Sequence, residues 1–319
     1  MTDLRADCDV AVVGAGPAGL TAGLYAARAG LSTVIFESGT GGGQAASTDV
    51  IENYPGFPEP VSGFALADAM RRQAERHGCR FRNAEVIALT SSTGAPAWEL
   101  RTDEGTSTAL AVIAANGAKP ARLGIPGEDR FWGRGVSCCA TCDGAFYRGK
   151  RIAVIGGGDT AVQEAAFLTR FASHITMVHR RSRLRATHVV QKRLTEEGRG
   201  KLDYLLEARP VEILGDDKVR GLRVEKLPTG EKVDVPCEGI FVFVGFAPSS
   251  AYLPQAVGRD ERGYILTDEH MATAAPGVFA CGDVRKKVLR QIVTACAEGA
   301  VAAHSAQNYI DRLRGTSYE

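Results

Sequence analysis

One glycine pattern occurs twice in this chain, in the same setting and 142 residues apart. The first copy runs Asp9-Val-Ala-Val-Val-Gly-Ala-Gly-Pro-Ala-Gly19 and continues to Val34-Ile-Phe-Glu37. The second runs Arg151-Ile-Ala-Val-Ile-Gly-Gly-Gly-Asp-Thr-Ala161 and continues to Thr176-Met-Val-His179. Each opens with a short β-branched run that reads as a buried parallel strand, meets a glycine cluster, enters an Ala-rich helical stretch and ends in a second apolar strand. That is a βαβ dinucleotide-binding unit, present twice, and it commits the chain to the α/β class. Glycine is the one compositional excess, 37 of 319 residues where roughly 22 would be ordinary.

The spacing has a physical cause. Gly14 allows the tight turn, Gly16 lets the backbone approach a pyrophosphate, and Gly19 lets helix and strand pack closely; the matching places are Gly156, Gly158 and Ala161. The helix that follows aims unpaired N–H groups and its dipole at the phosphate, so no cationic side chain is needed there. A lone fingerprint is weak, since any tight strand-to-helix turn favours glycine, but two copies with matching flanks imply two nucleotides. The ends of the second strands separate them. Glu37 stands 21 positions after Gly16, where a carboxylate accepts hydrogen bonds from ribose hydroxyls and repels a 2′-phosphate. The aligned His179 opens the run His179-Arg180-Arg181-Ser182-Arg183-Leu184-Arg185. Its guanidinium groups suit a 2′-phosphate, so the second unit is expected to prefer NADPH to NADH.

Between the copies lies Cys138-Cys139-Ala140-Thr141-Cys142-Asp143. A C-x-x-C suits a short-loop disulfide or half of a metal site. The other cysteines (Cys8, Cys79, Cys237, Cys281, Cys296) are scattered and offer no second pair, so no metal is expected. The redox reading is preferred, with Asp143 moving the proton that a departing thiolate needs or serving as a turn residue. Two nucleotides and a dithiol define an electron path. A flavin bridges a hydride donor and a disulfide, so the first unit is expected to bind FAD. With Lys+Arg 38 against Asp+Glu 37, nothing points to nucleic acid or an acidic membrane. No apolar run approaches the ~20 residues of a spanning helix. The acid-bearing start does not read as a signal peptide, which with the sparse cysteines gives a cytoplasmic expectation.

The motifs together resemble the low-molecular-weight, bacterial-type NADPH-dependent thioredoxin reductases over essentially the whole chain. They are Gly14-Ala-Gly-Pro-Ala-Gly19, Gly42-Gly-Gln44, Glu52-Asn-Tyr-Pro-Gly-Phe57, Cys139-Ala-Thr-Cys-Asp143, Gly156-Gly-Gly-Asp-Thr-Ala161, His179-Arg-Arg with Arg185, and Gly282-Asp283 followed by Arg290-Gln291. The resemblance implies the flavin disulfide reductase fold: two Rossmann-like three-layer domains, an FAD domain of residues 1–117 and 247–319 with an NADPH domain of 118–246 inserted. Gly43, Gln44, Asn53, Asp283, Arg290 and Gln291 would line the FAD side, while Asp159, Thr160, His179, Arg180, Arg181 and Arg185 would join Gly156 and Gly158 on the NADPH side. It further implies a homodimer, noncovalent FAD, a redox-active Cys139–Cys142 with Cys142 nearer the flavin and Cys139 attacking the partner, and thioredoxin or a thioredoxin-like protein as acceptor. One dithiol serving both flavin and protein substrate suggests a hinge near residues 117–119 and 245–246.

The chain departs from that family at Asn116, Ser249, Cys138, Cys281, Cys296 and Ala297. The extra cysteines are expected to be small buried residues, and the basic Arg285-Lys286-Lys287 run a solvated surface turn. Two other readings remain open: a related flavoprotein fed by NADH or ferredoxin, and a flavin- or zinc-bearing module that regulates a partner without turnover.

Overall fold

The run Val10–Val13 is apolar on both faces, and in the computed structural model Cys8–Val13 forms strand β1 at the centre of a parallel array. The structure describes residues 6–48, 50–92 and 96–317. Helix α1 (Pro17–Arg28) starts on a proline at its first position and closes on Gly30 at φ +80, with Gly30 N and Leu31 N capping the carbonyls of Ala27 and Ala26. Strand β2 (Thr33–Glu37) follows, then the short helix α2 (Gly43–Ala46) and helix α3 (Gly63–Arg76), whose Ser62 cap accepts from Ala65 N. Strands β3 (Arg80–Asn83), β4 (Val86–Ser91), β5 (Trp98–Thr102) and β6 (Gly105–Ala114) complete this stretch.

The chain then leaves through β7 (Ala118–Pro120). The inserted segment contains α4 (Glu128–Phe131), β8 (Val136–Ser137), α5 (Ala140–Asp143), β9 (Arg151–Gly156), α6 (Asp159–Leu168), β10 (His174–Val178) and α7 (His188–Glu197). Strands β11 (Leu202–Leu205), β12 (Ala208–Gly215), β13 (Val219–Lys226), β14 (Lys232–Pro236) and β15 (Gly239–Phe243) follow. The chain returns through β16 (Phe246–Pro248), which pairs with β7, and ends with β17 (Val278–Ala280) and the long helix α8 (Ile292–Arg314). The contacts divide it into two units: Met1–Lys119 with Ala247–Glu319, and Pro120–Phe246.

In the first unit the order is β3-β2-β1-β6-β5-β4, with β17 also paired to β6. Strands β3, β2, β1, β6 and β17 are parallel, while β4 and β5 form an antiparallel meander off β6. Helices α1 and α8 pack on one face over Val12, Leu20, Ile113 and Ile310. In the second unit β11-β10-β9-β15-β8 is wholly parallel, and a three-stranded antiparallel sheet, β12-β13-β14, packs on it through Ile155, Leu222 and Val224. Helix α6 and its neighbours cover the other face. Two Rossmann-like units result, as the duplicated pattern requires. The last helix spans Ile292–Arg314, and Gln291 is its cap, in a reciprocal pair with Thr294. Among the described residues, no helix is long and apolar enough to cross a membrane.

Candidate active site

Parallel strands bring their C-terminal ends to one edge, and in the first unit that edge gathers the predicted residues. Gly14, at φ +105, follows β1; a Cβ there would lie 2.5 Å from Asn116 Cα and 2.7 Å from Ala115 O at the end of β6. A Cβ on Gly19 would fall on Gly14 O, so the helix packs on the loop at backbone distance. Gly16 caps α1 with extended backbone and no side-chain bond, leaving first-turn N–H groups available to an anion. Across from it a Cβ on Gly43 would sit 3.1 Å from Gly16 Cα, so any side chain would fill this cleft. Glu37 ends β2 with Oε2 accepting from Ala15 N (2.8 Å) and Oε1 from Gly39 N (2.9 Å), which fixes the carboxylate beside the glycine turn.

The remaining predicted residues stand on α2 and on neighbouring loops. Gln44 Nε2 donates to Ala118 O at 2.7 Å, and Asn53 Nδ2 to Gln291 Oε1 at 3.0 Å. Asp283 follows β17. Burial raises its carboxyl above the usual range against the pull of Lys287 and Arg290, and its Oδ1 is buried with no hydrogen-bond partner among the described residues. Arg290 holds its guanidinium 4.3 Å from the centre of the Tyr264 ring, with Nε buried and without a hydrogen-bond partner among the described residues. An open anion-binding turn, a cleft lined by glycine backbone and an orphaned buried acceptor fit an FAD molecule. Asn116 takes a structural part: its Nδ2 donates to Ser249 O (2.5 Å) and its Oδ1 accepts from Tyr252 at 3.4 Å.

The second unit repeats the edge with different chemistry. Gly156 is at φ +148, and a Cβ there would fall on Phe243 O and lie 2.7 Å from Ala161 Cβ. Gly158 caps α6 without a side-chain bond. Asp159 Oδ1 accepts from Thr187 N at 2.8 Å, which fastens α6 to the start of α7; Thr160 is exposed on its first turn. His179 follows β10 and is buried; desolvation lowers its pKa, helped by Arg185, Arg181 and Arg180, and its Nε2 has no partner among the described residues. Its ring lies against Gly157, where a Cβ would meet Nδ1 at 2.5 Å. Gly157 O accepts from Arg185 N (2.6 Å) and Ala186 N (3.2 Å), folding the basic loop back onto the glycine turn. Arg180, Arg181 and Arg185 are exposed around it. Three guanidinium groups beside an unsatisfied helix N-terminus fit a nucleotide carrying an extra phosphate.

Cys139 and Cys142 form a disulfide across α5, with Cα atoms 5.4 Å apart. Cys142 is exposed and Cys139 half-buried. Cys139 caps α5, its Sγ accepting from Cys142 N at 3.2 Å. Asp143 ends the helix, and its charge raises the thiol of Cys138 and the phenol of Tyr147, each raised first by burial. Cys281 is fully buried, as a small core residue should be. Cys296 is half-buried beside Tyr54 Oη and Pro17 O, each 3.8 Å from its sulfur.

Two expectations are overturned: of the extra cysteines only Cys281 is buried, Cys138 and Cys296 being half-buried, and the basic run is not solvated. The run 285–287 is not a solvated turn, because the Arg285 and Lys287 side chains are only 14% and 4% exposed and both pair with Glu298, at 2.9 and 3.1 Å. A single acid in the Ala-rich start of α8 is the signal that sequence reading passed over. It also missed Gly299, where a Cβ would fall on Ala18 O, so α1 and α8 meet at backbone distance.

The chain matches the pyridine nucleotide-disulphide oxidoreductase family over residues 8–299. It is 43% identical over 313 residues to the thioredoxin reductase of Treponema pallidum (strain Nichols), covering 98% of this chain and all of the relative. The thioredoxin reductase of Bacillus subtilis (strain 168) is 42% identical over 309 residues, 97% of this chain and 96% of that one. The crystal structure of Lactococcus lactis thioredoxin reductase superposes with a TM-score of 0.91 at 40% identity, covering 96% of this chain and all of that one.

Proposed function

The chain belongs to the pyridine nucleotide-disulphide oxidoreductase family, and from that premise we propose that it is a thioredoxin reductase that uses NADPH to reduce the disulfide of a thioredoxin. The observation that carries this is the Cys139–Cys142 disulfide in a chain with two differently equipped nucleotide edges. FAD, when bound, accepts a hydride from NADPH and supplies two electrons to a disulfide. The first unit would hold it through Gly14, Gly16, Gly43, Glu37 and Asp283, with Gln44, Asn53, Arg290 and Gln291 nearby. The second would hold NADPH through Gly156, Gly158 and the Arg180, Arg181 and Arg185 cluster. Asp159 and Thr160 would form the rim of that loop and His179 its floor.

The sulfur chemistry belongs to the chain itself. Reduction opens Cys139–Cys142 to two thiols. The thiolate of Cys139 attacks one sulfur of the partner's disulfide, a mixed disulfide forms, and the partner's other sulfur leaves with a proton for which Asp143 is the nearby carrier. Cys142 then attacks Cys139, closing the original disulfide and releasing the partner as a dithiol. Exposure alone would give the first attack to Cys142, and the family resemblance gives it to Cys139. A Cys142→Ser variant should trap partner on Cys139; trapping only in Cys139→Ser would exchange the two roles. We further propose a homodimer in the cytoplasm, on resemblance alone.

Anaerobic titration tests the whole reading. NADPH should bleach the flavin of the purified protein, and oxidised thioredoxin should restore its colour as two thiols appear on the partner. A protein that takes up no flavin, or is reduced equally well by NADH, would refute it. The second outcome would favour a related reductase with another donor.

A further inference from the structure

Glu298 has no role in the function proposed above, yet it engages a backbone N–H and two cationic side chains. It stands in the second turn of α8, 13% exposed, with Oε2 accepting from Gly282 N at 2.8 Å and Oε1 accepting from Arg285 Nη1 at 2.9 Å. Lys287 Nζ lies 3.1 Å from the same Oε1, off the hydrogen-bond axis. Arg285 is fixed from its other side by Thr267 Oγ1, 2.8 Å from Nε, and Lys286 N donates to Ile265 O at 2.9 Å. Glu298 thus ties both ends of the loop from Gly282 to Lys287.

That loop carries Asp283, and Lys287 has a choice between two acids. Its Nζ is within ion-pair reach of Asp283 Oδ1, 3.8 Å away, the buried oxygen with no hydrogen-bond partner among the described residues. A buried ammonium without a counter-charge is costly, and Lys287 stands between two carboxylates, nearer to Glu298 than to Asp283. Its flexible stem and rotatable donors let it reach either. The Glu298 carboxylate is the nearer of the two, 3.1 Å against 3.8 Å, so Lys287 lies on the Glu298 side.

We propose that Glu298 is a positioning residue for flavin binding: by taking Lys287, it keeps Asp283 Oδ1 free to accept a hydrogen bond from the cofactor. This rests on the reading that the first unit binds FAD. In Glu298→Gln the amide can still accept from Gly282 N, but the negative charge is gone. Lys287 then closes on Asp283 and occupies the acceptor that FAD needs.

The test measures FAD loss from the holoenzyme by recovery of free-flavin fluorescence, in wild type, Glu298→Gln, Lys287→Met and Glu298→Gln/Lys287→Met. The expected result is FAD loss about tenfold faster or more in Glu298→Gln, the scale of one charge-assisted hydrogen bond. The double variant should return to within about threefold of wild type, because the competing cation is absent. Lys287→Met alone, which leaves α8 untouched, should hold FAD as wild type does. Wild-type behaviour of Glu298→Gln overturns the proposal. So does a double variant no better than the single, which is what a merely structural glutamate would give, or faster loss in Lys287→Met alone. A wild-type protein that takes up no FAD overturns the underlying reading, and this inference with it.

Discussion

The fingerprint leaves its second position open to any small residue, and the first copy has Ala15 there. By that logic Gly157→Ala in the second copy should be harmless, all the more because Gly157 does not adopt a positive φ. The structure says otherwise. A Cβ on Gly157 would lie 2.5, 2.6 and 2.7 Å from Nδ1, Cε1 and Cγ of His179. The backbone cannot retreat without breaking the bonds that Gly157 O accepts from Arg185 N and Ala186 N. The ring cannot retreat without leaving a site where His179 is 6% exposed. Overpacking of this kind costs about 1–3 kcal/mol. At about 4 °C per kcal/mol for a unit of this size, that is a fall of about 4–12 °C in its melting temperature. The chain has two tryptophans, Trp98 and Trp132. In a Trp98→Phe background the fluorescence of Trp132 therefore reports unfolding of the second unit. NADPH affinity should fall with it, since the displaced imidazole disturbs the loop carrying Arg185. Adding His179→Ala should recover more than about 1 kcal/mol relative to the sum of the single effects. If Gly157→Ala melts with wild type, or the two substitutions simply add, the ring does not define this site.

Other expectations follow from the same contacts. Arg185→Ala should raise KM for NADPH about 10- to 100-fold and leave KM for NADH unchanged, the scale of a lost guanidinium–phosphate bond; equal effects on both nucleotides would contradict the 2′-phosphate assignment. Asp143→Asn should slow thioredoxin reduction by about 100-fold or more while NADPH still bleaches the flavin, and undiminished turnover would remove Asp143 from proton transfer. Burial, then Arg185, Arg181 and Arg180, hold His179 below its ordinary value of 6.5, so below that pH the unfolded chain takes up a proton that the folded one refuses. The second unit should therefore lose stability as pH falls below about 6.5, and His179→Asn should flatten that slope in melting curves taken across mildly acidic pH. Burial raises the Cys138 thiol, which keeps it protonated, so Cys138→Ser should leave turnover intact; a tenfold fall in kcat would give that thiol a part in the chemistry.

The duplicated pattern was enough to specify two Rossmann-like units, their parallel strands and the charge at each edge, because those properties are local. A glycine turn, a strand end and the residue 21 positions on are fixed by the geometry of one βαβ unit, so Gly14, Gly16, Glu37, Gly156 and Arg185 are legible from spacing. The C-x-x-C was legible for the same reason, since its two sulfurs meet within one helical turn. Contacts that depend on which distant segment packs where were not legible. Glu298 and the 285–287 loop are separate elements, and a basic run reads as solvated until helix α8 delivers a carboxylate beneath it. Gly157 reads as a free position until the end of β10 places an imidazole over it. Local sequence determined the backbone's shape and the charge each edge presents; packing between elements far apart in the chain decided which of those charges are neutralised from within and which remain open to a ligand.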